Sequence, residues 1–253
     1  MASLFHISSL TKRFGSVIAL SKVSLDIKQG EIIALIGSSG SGKTTLLKLL
    51  NAQHKAEEGI IKLSGQSFDS LSQSQLRKAR SKIAFIPQDL GLVKNLKVFQ
   101  NIFLGKVGHV GTLRMLWRFI LPPKKEIQQV HQLLERTGIP EKLYFETSQL
   151  SGGQQQRVAV ARSLYQGAHT ILADEPISAV DPARARSLIK LLIAISKENN
   201  LTLIMSIHNI KLAQEFFPRL IGLKNGVILF DGSAVDESKL AELYQLSEDQ
   251  LNE

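Results

Sequence analysis

Apolar residues along the chain fall into short dense runs of strand length, separated by stretches with helical spacing. Glu31-Ile32-Ile33-Ala34-Leu35-Ile36 is apolar at nearly every position, which predicts a strand buried on both faces. Ile83–Ile86, Thr170–Ala173 and Leu201–Ile207 have the same character. Val23-Ser24-Leu25-Asp26-Ile27 alternates instead, predicting a half-exposed strand that ends at the turn Gln29-Gly30. Between the buried runs lie helical patterns, one carrying Leu46, Leu47, Leu49 and Leu50, others over Gln154–Tyr165 and Pro182–Lys197. Buried strands alternating with helices predict a layered α/β fold with a mostly parallel sheet. Near the end, Leu220–Leu223 and Val227–Phe230 flank Lys224-Asn225-Gly226, and Asn-Gly is a hairpin signal. From about Leu92 to Leu150 the pattern turns to helices and loops, read as a helical insert in the α/β domain. Asp236–Glu253 reads as an exposed, mildly acidic helix and tail, and no internal repeat is visible.

Composition narrows this picture. A chain of 253 residues with 43% hydrophobic residues suits one large domain, or one with a small helical insert. Cysteine is absent, which rules out a disulfide scaffold and makes a reducing cytoplasm the simplest setting. Met1–His6 has neither a basic n-region nor a long apolar h-region, so no secretory signal is expected. No uncharged apolar stretch reaches the roughly 18–20 residues that cross a bilayer. The nearest, Leu113 to Leu121, holds Arg114 and Arg118. The chain is therefore expected to be soluble or peripheral, with any membrane role supplied by separate subunits. Lys and Arg outnumber Asp and Glu by 31 to 22, a formal charge of +9. That balance favours polyanions in general, but scattered basic residues equally describe a solvated surface.

The first chemical motif is Gly37-Ser38-Ser39-Gly40-Ser41-Gly42-Lys43-Thr44, which fits G-x-x-x-x-G-K-[ST] between a buried strand and a helix. Glycines let the backbone wrap a phosphate with its N–H groups pointing inward, and the helix N-terminus adds partial positive charge. Lys43 can reach the outer phosphates and the Thr44 hydroxyl can ligand Mg²⁺. Such a loop implies nucleoside triphosphate binding only; hydrolysis also needs a carboxylate beside the metal and a group that orients water. Thr170-Ile171-Leu172-Ala173-Asp174-Glu175 supplies an acidic pair at a strand end. Asp174 can hold Mg²⁺ through water and Glu175 can accept a proton from attacking water. Taken alone, the pair is equally an acidic strand end leading into Pro176; beside the phosphate loop, the functional reading leads.

Leu150-Ser151-Gly152-Gly153-Gln154-Gln155-Gln156-Arg157 is a second glycine-rich helix start, with Ser151 able to cap. It resembles the signature motif of ATP-binding-cassette (ABC) ATPases. The resemblance implies a P-loop fold of that type, with a mostly parallel sheet core, an antiparallel β part and a helical insert, across one domain spanning 1–253. It implies ATP and Mg²⁺ as cofactors, and a head-to-tail dimer in which this motif reaches the γ-phosphate held by a second copy. Further matches follow in the family's order. Gln88 falls at the Q-loop glutamine that senses Mg²⁺ and the attacking water. Ser178-Ala179-Val180-Asp181 resembles the D-loop, with Val where Leu is commoner. His208 matches the switch histidine. Phe14 corresponds to the aromatic that stacks on adenine, usually tyrosine, although a core phenylalanine remains an alternative. The carry-over thus makes Glu175, His208 and Gln88 catalytic, and Thr44, Gln88 and Asp174 metal-facing. Phe14, the loop from Gly37 through Thr44 with Thr45, Ser151 to Gln154, and Asp181 line the nucleotide.

The stretch Gly105–His109 and Thr112–Phe119 resembles the insert of phosphonate-importer ATPases. The Gln154–Arg157 run and Phe230-Asp231-Gly232 also fit that group. The implied cargo is a phosphonate, phosphite or phosphate, selected by a permease and a substrate-binding protein, with the chain on the cytoplasmic face of the cell membrane. Cassettes for amino-acid import, lipoprotein release or export are the alternatives within transport. A DNA- or ribosome-associated ATPase is the rival class, but the single cassette without a heptad run argues against it, and no nucleic-acid partner is expected. The apolar patch Leu113, Met115, Leu116, Trp117, Phe119 and Ile120 reads either as a docking surface for a permease helix or as a cover over the domain's own core.

Overall fold

The computed structural model describes residues 3–108, 117–177, 181–233 and 235–244. Its central sheet has the order β10-β9-β3-β8-β7-β6. Here β3 is Ile32–Ile36, β6 Ile83–Ile86, β7 Thr170–Asp174, β8 Thr202–Ser206, β9 Arg219–Lys224 and β10 Val227–Gly232. Strands β6, β7, β8, β3 and β9 pair in parallel, and β10 closes the edge as the antiparallel arm of a hairpin. The hairpin turn has Asn225 at φ 49 and Gly226 at φ 78, the left-handed pair that Asn-Gly accommodates.

Why β3, β7 and β8 are apolar throughout is visible in the cores. Ala34, Ile36, Ile171, Ala173 and Met205 face one core, closed by helices α5 (Gly152–Gln166) and α6 (Pro182–Glu198). Ile33, Leu35, Leu172 and Ile204 face the other, closed by α1 (Lys43–Leu50) and a second sheet. That sheet has the order β2-β1-β4-β5, all antiparallel, from β1 (Ser3–Phe14), β2 (Val17–Lys28), β4 (Glu58–Leu63) and β5 (Gln66–Ser67). Helix α2 (Gln73–Ser81) follows β5 before β6.

Between β6 and β7 the chain is helical, as the pattern predicts. Helices α3 (Val98–Phe103) and α4 (Lys124–Thr137) pack with α5 on a third core of Val98, Phe99, Phe103, Leu134, Val158 and Tyr165. Helix α5 therefore serves two cores, which fixes the helical part to the sheet. Of the apolar patch on this part, Leu113, Met115 and Leu116 lie outside the described residues. Phe119 packs on the third core, whereas Trp117 is 65% and Ile120 76% exposed. The core-cover reading thus holds for Phe119 and not for Trp117 or Ile120.

After β8 come α7 (Ile210–Phe216) and the β9–β10 hairpin, then α8 (Glu237–Tyr244). The expectation that Asp236–Glu253 is exposed fails for this helix: Leu240 and Leu243 are buried in the first core. Their spacing of three puts both on one face, which the acidic residues around them mask in sequence. Residues 245–253 lie outside the described residues. Among the described residues no helix is long and apolar enough to cross a membrane.

Candidate nucleotide site

The site lies at the carboxyl ends of β3, β7 and β8, where the sheet hands over to loops. Strand β3 stops at Ile36 and the chain turns through Gly37–Gly42 into α1. Gly37 has φ 149, and a Cβ there would approach the Leu223 carbonyl oxygen to 2.2 Å, so only glycine fits. Gly42 is left-handed at φ 106 and caps α1 with no side chain, and no acid occupies the helix's first turn. The first N–H groups of α1 therefore meet no competing carboxylate from their own helix. Ser39 and Gly40 are exposed at the loop tip, with Ser38 and Thr45 half-buried. The buried Ser41 hydroxyl has no hydrogen-bond partner.

Lys43 is 4% exposed, and its ammonium donates to the carbonyl oxygens of Gly37 at 2.7 Å and Ser38 at 2.9 Å. Burial pushes its pKa down, and the charges of Glu175 and Asp174 act in the opposite direction. No carboxylate is close enough to form an ion pair with it among the described residues. The cation is held by neutral carbonyls that a phosphate can outcompete.

A chain of hydroxyls joins the loop to the acidic strand end. Thr44 Oγ1 donates to Asp174 Oδ1 at 3.0 Å, and Ser206 Oγ donates to the same oxygen at 2.9 Å. Ser206 Oγ also accepts the Glu175 main-chain N–H at 2.8 Å. Glu175 is left-handed at φ 47, unusual for a side-chain-bearing residue, and its Oε1 lies 2.6 Å from His208 Nε2. His208 occupies the turn between β8 and α7, which Asn209 caps by accepting the Leu212 N–H at 3.0 Å. The oxygen donors of Thr44 and Asp174 suit a hard cation completed by phosphate oxygens and water. Among the described residues no group of three or more His, Asp or Glu could hold a metal by itself.

The structure thus brings together Gly37, Lys43, Thr44, Asp174, Glu175 and His208. Gln88 is exposed on the turn after β6, and no hydrogen bond joins it to Thr44 or Asp174. Phe14 ends β1 with 46% exposure, edge-on to His54 at 5.4 Å and with the Lys12 ammonium 5.0 Å from its ring centre. It is not a core phenylalanine. Ser151, Gly152, Gly153 and Gln154 make no hydrogen bond to the phosphate loop of their own chain. Ser151 caps α5 in a capping box with Gln154, the Gln154 N–H reaching Ser151 Oγ at 3.3 Å and the Ser151 N–H reaching Gln154 Oε1 at 3.0 Å. A cleft of about 180 Å³ opens beside them, lined also by the cations Arg157 and Arg184. Asp181 caps α6 by accepting the Arg184 N–H at 3.0 Å, while Ser178, Ala179 and Val180 lie outside the described residues.

Two residues of the site went unseen in sequence. Ser206 is a hydroxyl near the end of an apolar strand run, two positions before His208, and that position is the available signal. Tyr244, whose hydroxyl accepts the Gly37 N–H at 3.1 Å, carries no motif at all.

Known proteins resemble this chain in sequence and in fold. The family model described as ABC transporter matches residues 20–178. The chain is 41% identical over 250 residues to "Phosphonates import ATP-binding protein PhnC 1" of Nostoc sp., covering 97% of this chain and 94% of that protein. It is 39% identical over 244 residues to "Phosphonates import ATP-binding protein PhnC" of Wolinella succinogenes, covering 95% and 88%. Among solved structures, the dimeric cassette MJ0796 bound to ADP and Pi superposes with a TM-score of 0.79 at 29% identity, covering 92% of this chain and 99% of that one.

Proposed function

This chain belongs to the ABC transporter family, and on that footing we propose that it is the ATP-hydrolysing subunit of an importer for phosphonates or a related phosphorus oxyanion. The observation that carries the hydrolytic reading is the continuous contact from Thr44 through Asp174 and Ser206 to Glu175 and His208. It joins the phosphate loop to Glu175 and so supports reading that acid as the one that handles water. The cargo reading rests on the relatives' similarity along nearly the whole chain, which includes the helical part.

On ATP arrival Lys43 exchanges its two carbonyls for phosphate oxygens, and the α1 N-terminus cradles the anion. Thr44 and Asp174 would hold Mg²⁺, which supplies positive charge to the phosphate oxygens when bound. Glu175 accepts the proton of the attacking water at a carboxylate oxygen, and His208 orients that carboxylate and meets the γ-phosphate. Gln88 closes on the same water from the turn after β6. Phe14 offers an exposed ring face to adenine. A second copy completes the site: the partner's Ser151, Gly152, Gly153 and Gln154 present a capped helix end to the γ-phosphate, with Asp181 at the interface. The dimeric relative supports this assembly. We assign 1–253 to one cassette, with the part from about 92 to 150 and into the signature helix as its helical subdomain. Permease subunits at the cytoplasmic face of the membrane, and through them a substrate-binding protein, are its further partners.

Uptake decides the cargo. Deleting the gene should abolish growth on methylphosphonate as sole phosphorus source, and wild-type growth with no loss of methylphosphonate uptake would contradict the reading.

A further inference from the structure

Helix α8 lies beyond the residues matched by the family, 20–178, yet it reaches the nucleotide site. Leu240 and Leu243 anchor it in the first core, and the Lys224 ammonium stands 4.0 Å from Glu242 Oε1 on its rim. The last residue of the helix then delivers a hydroxyl to the main-chain N–H of Gly37, which donates to it at 3.1 Å. Gly37 is the point where the phosphate loop leaves β3. A Cβ added there would meet the Leu223 carbonyl oxygen at 2.2 Å, and the Gly37 carbonyl oxygen accepts a hydrogen bond from the Lys43 ammonium at 2.7 Å. The peptide group on one side of Gly37 is thus fixed by Tyr244, and the one on the other side by Lys43. A tyrosine that only filled the core would need its ring, which does pack there. The hydroxyl is additional, and it satisfies a backbone donor at the start of the loop. Burial raises the phenol's pKa against the lowering effect of the Gly37 N–H, so the oxygen stays a neutral acceptor through the physiological range.

We propose that Tyr244 is a positioning residue for nucleotide binding: its hydroxyl fixes the first glycine of the phosphate loop, and with it the seat from which Lys43 moves to the triphosphate. This rests on the reading of residues 37–44 as the nucleotide cradle. The phenol touches no part of ATP in this scheme and acts through Gly37 alone, so its effect falls on affinity rather than on chemistry.

The test is Tyr244→Phe in the full chain, with Lys43→Ala as reference. ATP binding is measured by calorimetry, turnover by phosphate release, and stability by thermal melting. Tyr244→Phe should raise the ATP Kd and KM by roughly 3- to 10-fold, as expected for one neutral hydrogen bond. It should leave kcat within about twofold, and Tm within about 3 °C. Unchanged Kd and KM overturn the proposal. So does a loss of affinity that comes with a parallel fall in kcat and Tm, which marks a merely structural tyrosine. If Lys43→Ala binds ATP as the parent does, the cradle reading itself fails and the proposal falls with it. Weakened Lys43→Ala beside an unaffected Tyr244→Phe removes only the role given to Tyr244.

Discussion

Asp174 accepts two hydroxyl hydrogen bonds on one oxygen, Oδ1, and that is what turns an acidic strand end into a site. The acidic pair alone was ambiguous in sequence, because carboxylates before a proline commonly begin a loop. The hydroxyls that resolve it come from distant positions, Thr44 in the phosphate loop and Ser206 on another strand. Thr44 was legible through its motif. Ser206 was hidden in a run that reads only as a buried strand. Its removal gives a clear expectation: Ser206→Ala leaves Asp174 one donor short and the Glu175 N–H unpartnered. Stability should drop by about 1–3 kcal/mol in a urea titration, and an unchanged midpoint would deny the bridge. Beside it, Glu175 holds a left-handed backbone that costs on the order of 1–3 kcal/mol, consistent with a carboxylate aimed for use. Glu175→Gln keeps the shape and removes the proposed base. It should bind ATP like the parent while turnover falls by roughly two orders of magnitude or more. Parent-like phosphate release would exclude Glu175 as the base.

At the scale of elements, the parallel sheet was readable because each central strand separates two cores and so needs apolar residues on both faces. The antiparallel sheet, which the family resemblance implies, shows little in the residue pattern itself, for a reason seen in β1 and β2. Inward residues run Phe5, Ile7 and then Leu10, because a bulge with Ser9 at φ 47 inserts a residue. Strand β2 repeats this between Leu20 and Val23, with Lys22 at φ 48. Alternation survives only over Val23, Leu25 and Ile27, the segment the pattern identified. Helix α8 was misjudged as exposed because two leucines among acids give too weak a signal against a core built elsewhere. Helix α5 shows how the helical part is held. Tyr165 is buried on it, stacked on Phe103 at 5.6 Å, with its hydroxyl donating to Glu126 Oε2 at 3.1 Å. Burial, with the Glu126 charge adding to it, raises the phenol's pKa. The folded chain then keeps this proton more tightly than the unfolded one, whose phenol titrates near about 10. The stabilisation is complete below that pH and is lost as pH rises beyond it. Tyr165→Phe should flatten the alkaline limb of a stability profile, and an unaltered slope above pH ~10 would contradict this assignment.

For the whole molecule, the charge of +9 settled little, since it fits several polyanionic partners equally. What distinguishes the chain is that four of its candidate nucleotide contacts, Ser151 to Gln154, bond only among themselves, to nearby backbone or to nothing within their own copy. A helix end capped and turned outward beside Arg157 and Arg184 supports the proposal that it meets an anion held by a second copy. The exposed Trp117 and Ile120 sit on the same helical part, and the docking reading of the patch predicts that they face the proposed permease. Ile120→Asp should spare ATP hydrolysis and lower coupled methylphosphonate uptake, and loss of folding in that variant would return Ile120 to a packing role. The most direct test concerns the shared site. Light scattering of Glu175→Gln with saturating ATP and Mg²⁺ should give about twice the 27.9 kDa chain mass, and adding Ser151→Glu should return it to 27.9 kDa. A Glu175→Gln protein that stays at the single-chain mass, or a double variant that still doubles, would contradict a site completed by the helix end of a second copy.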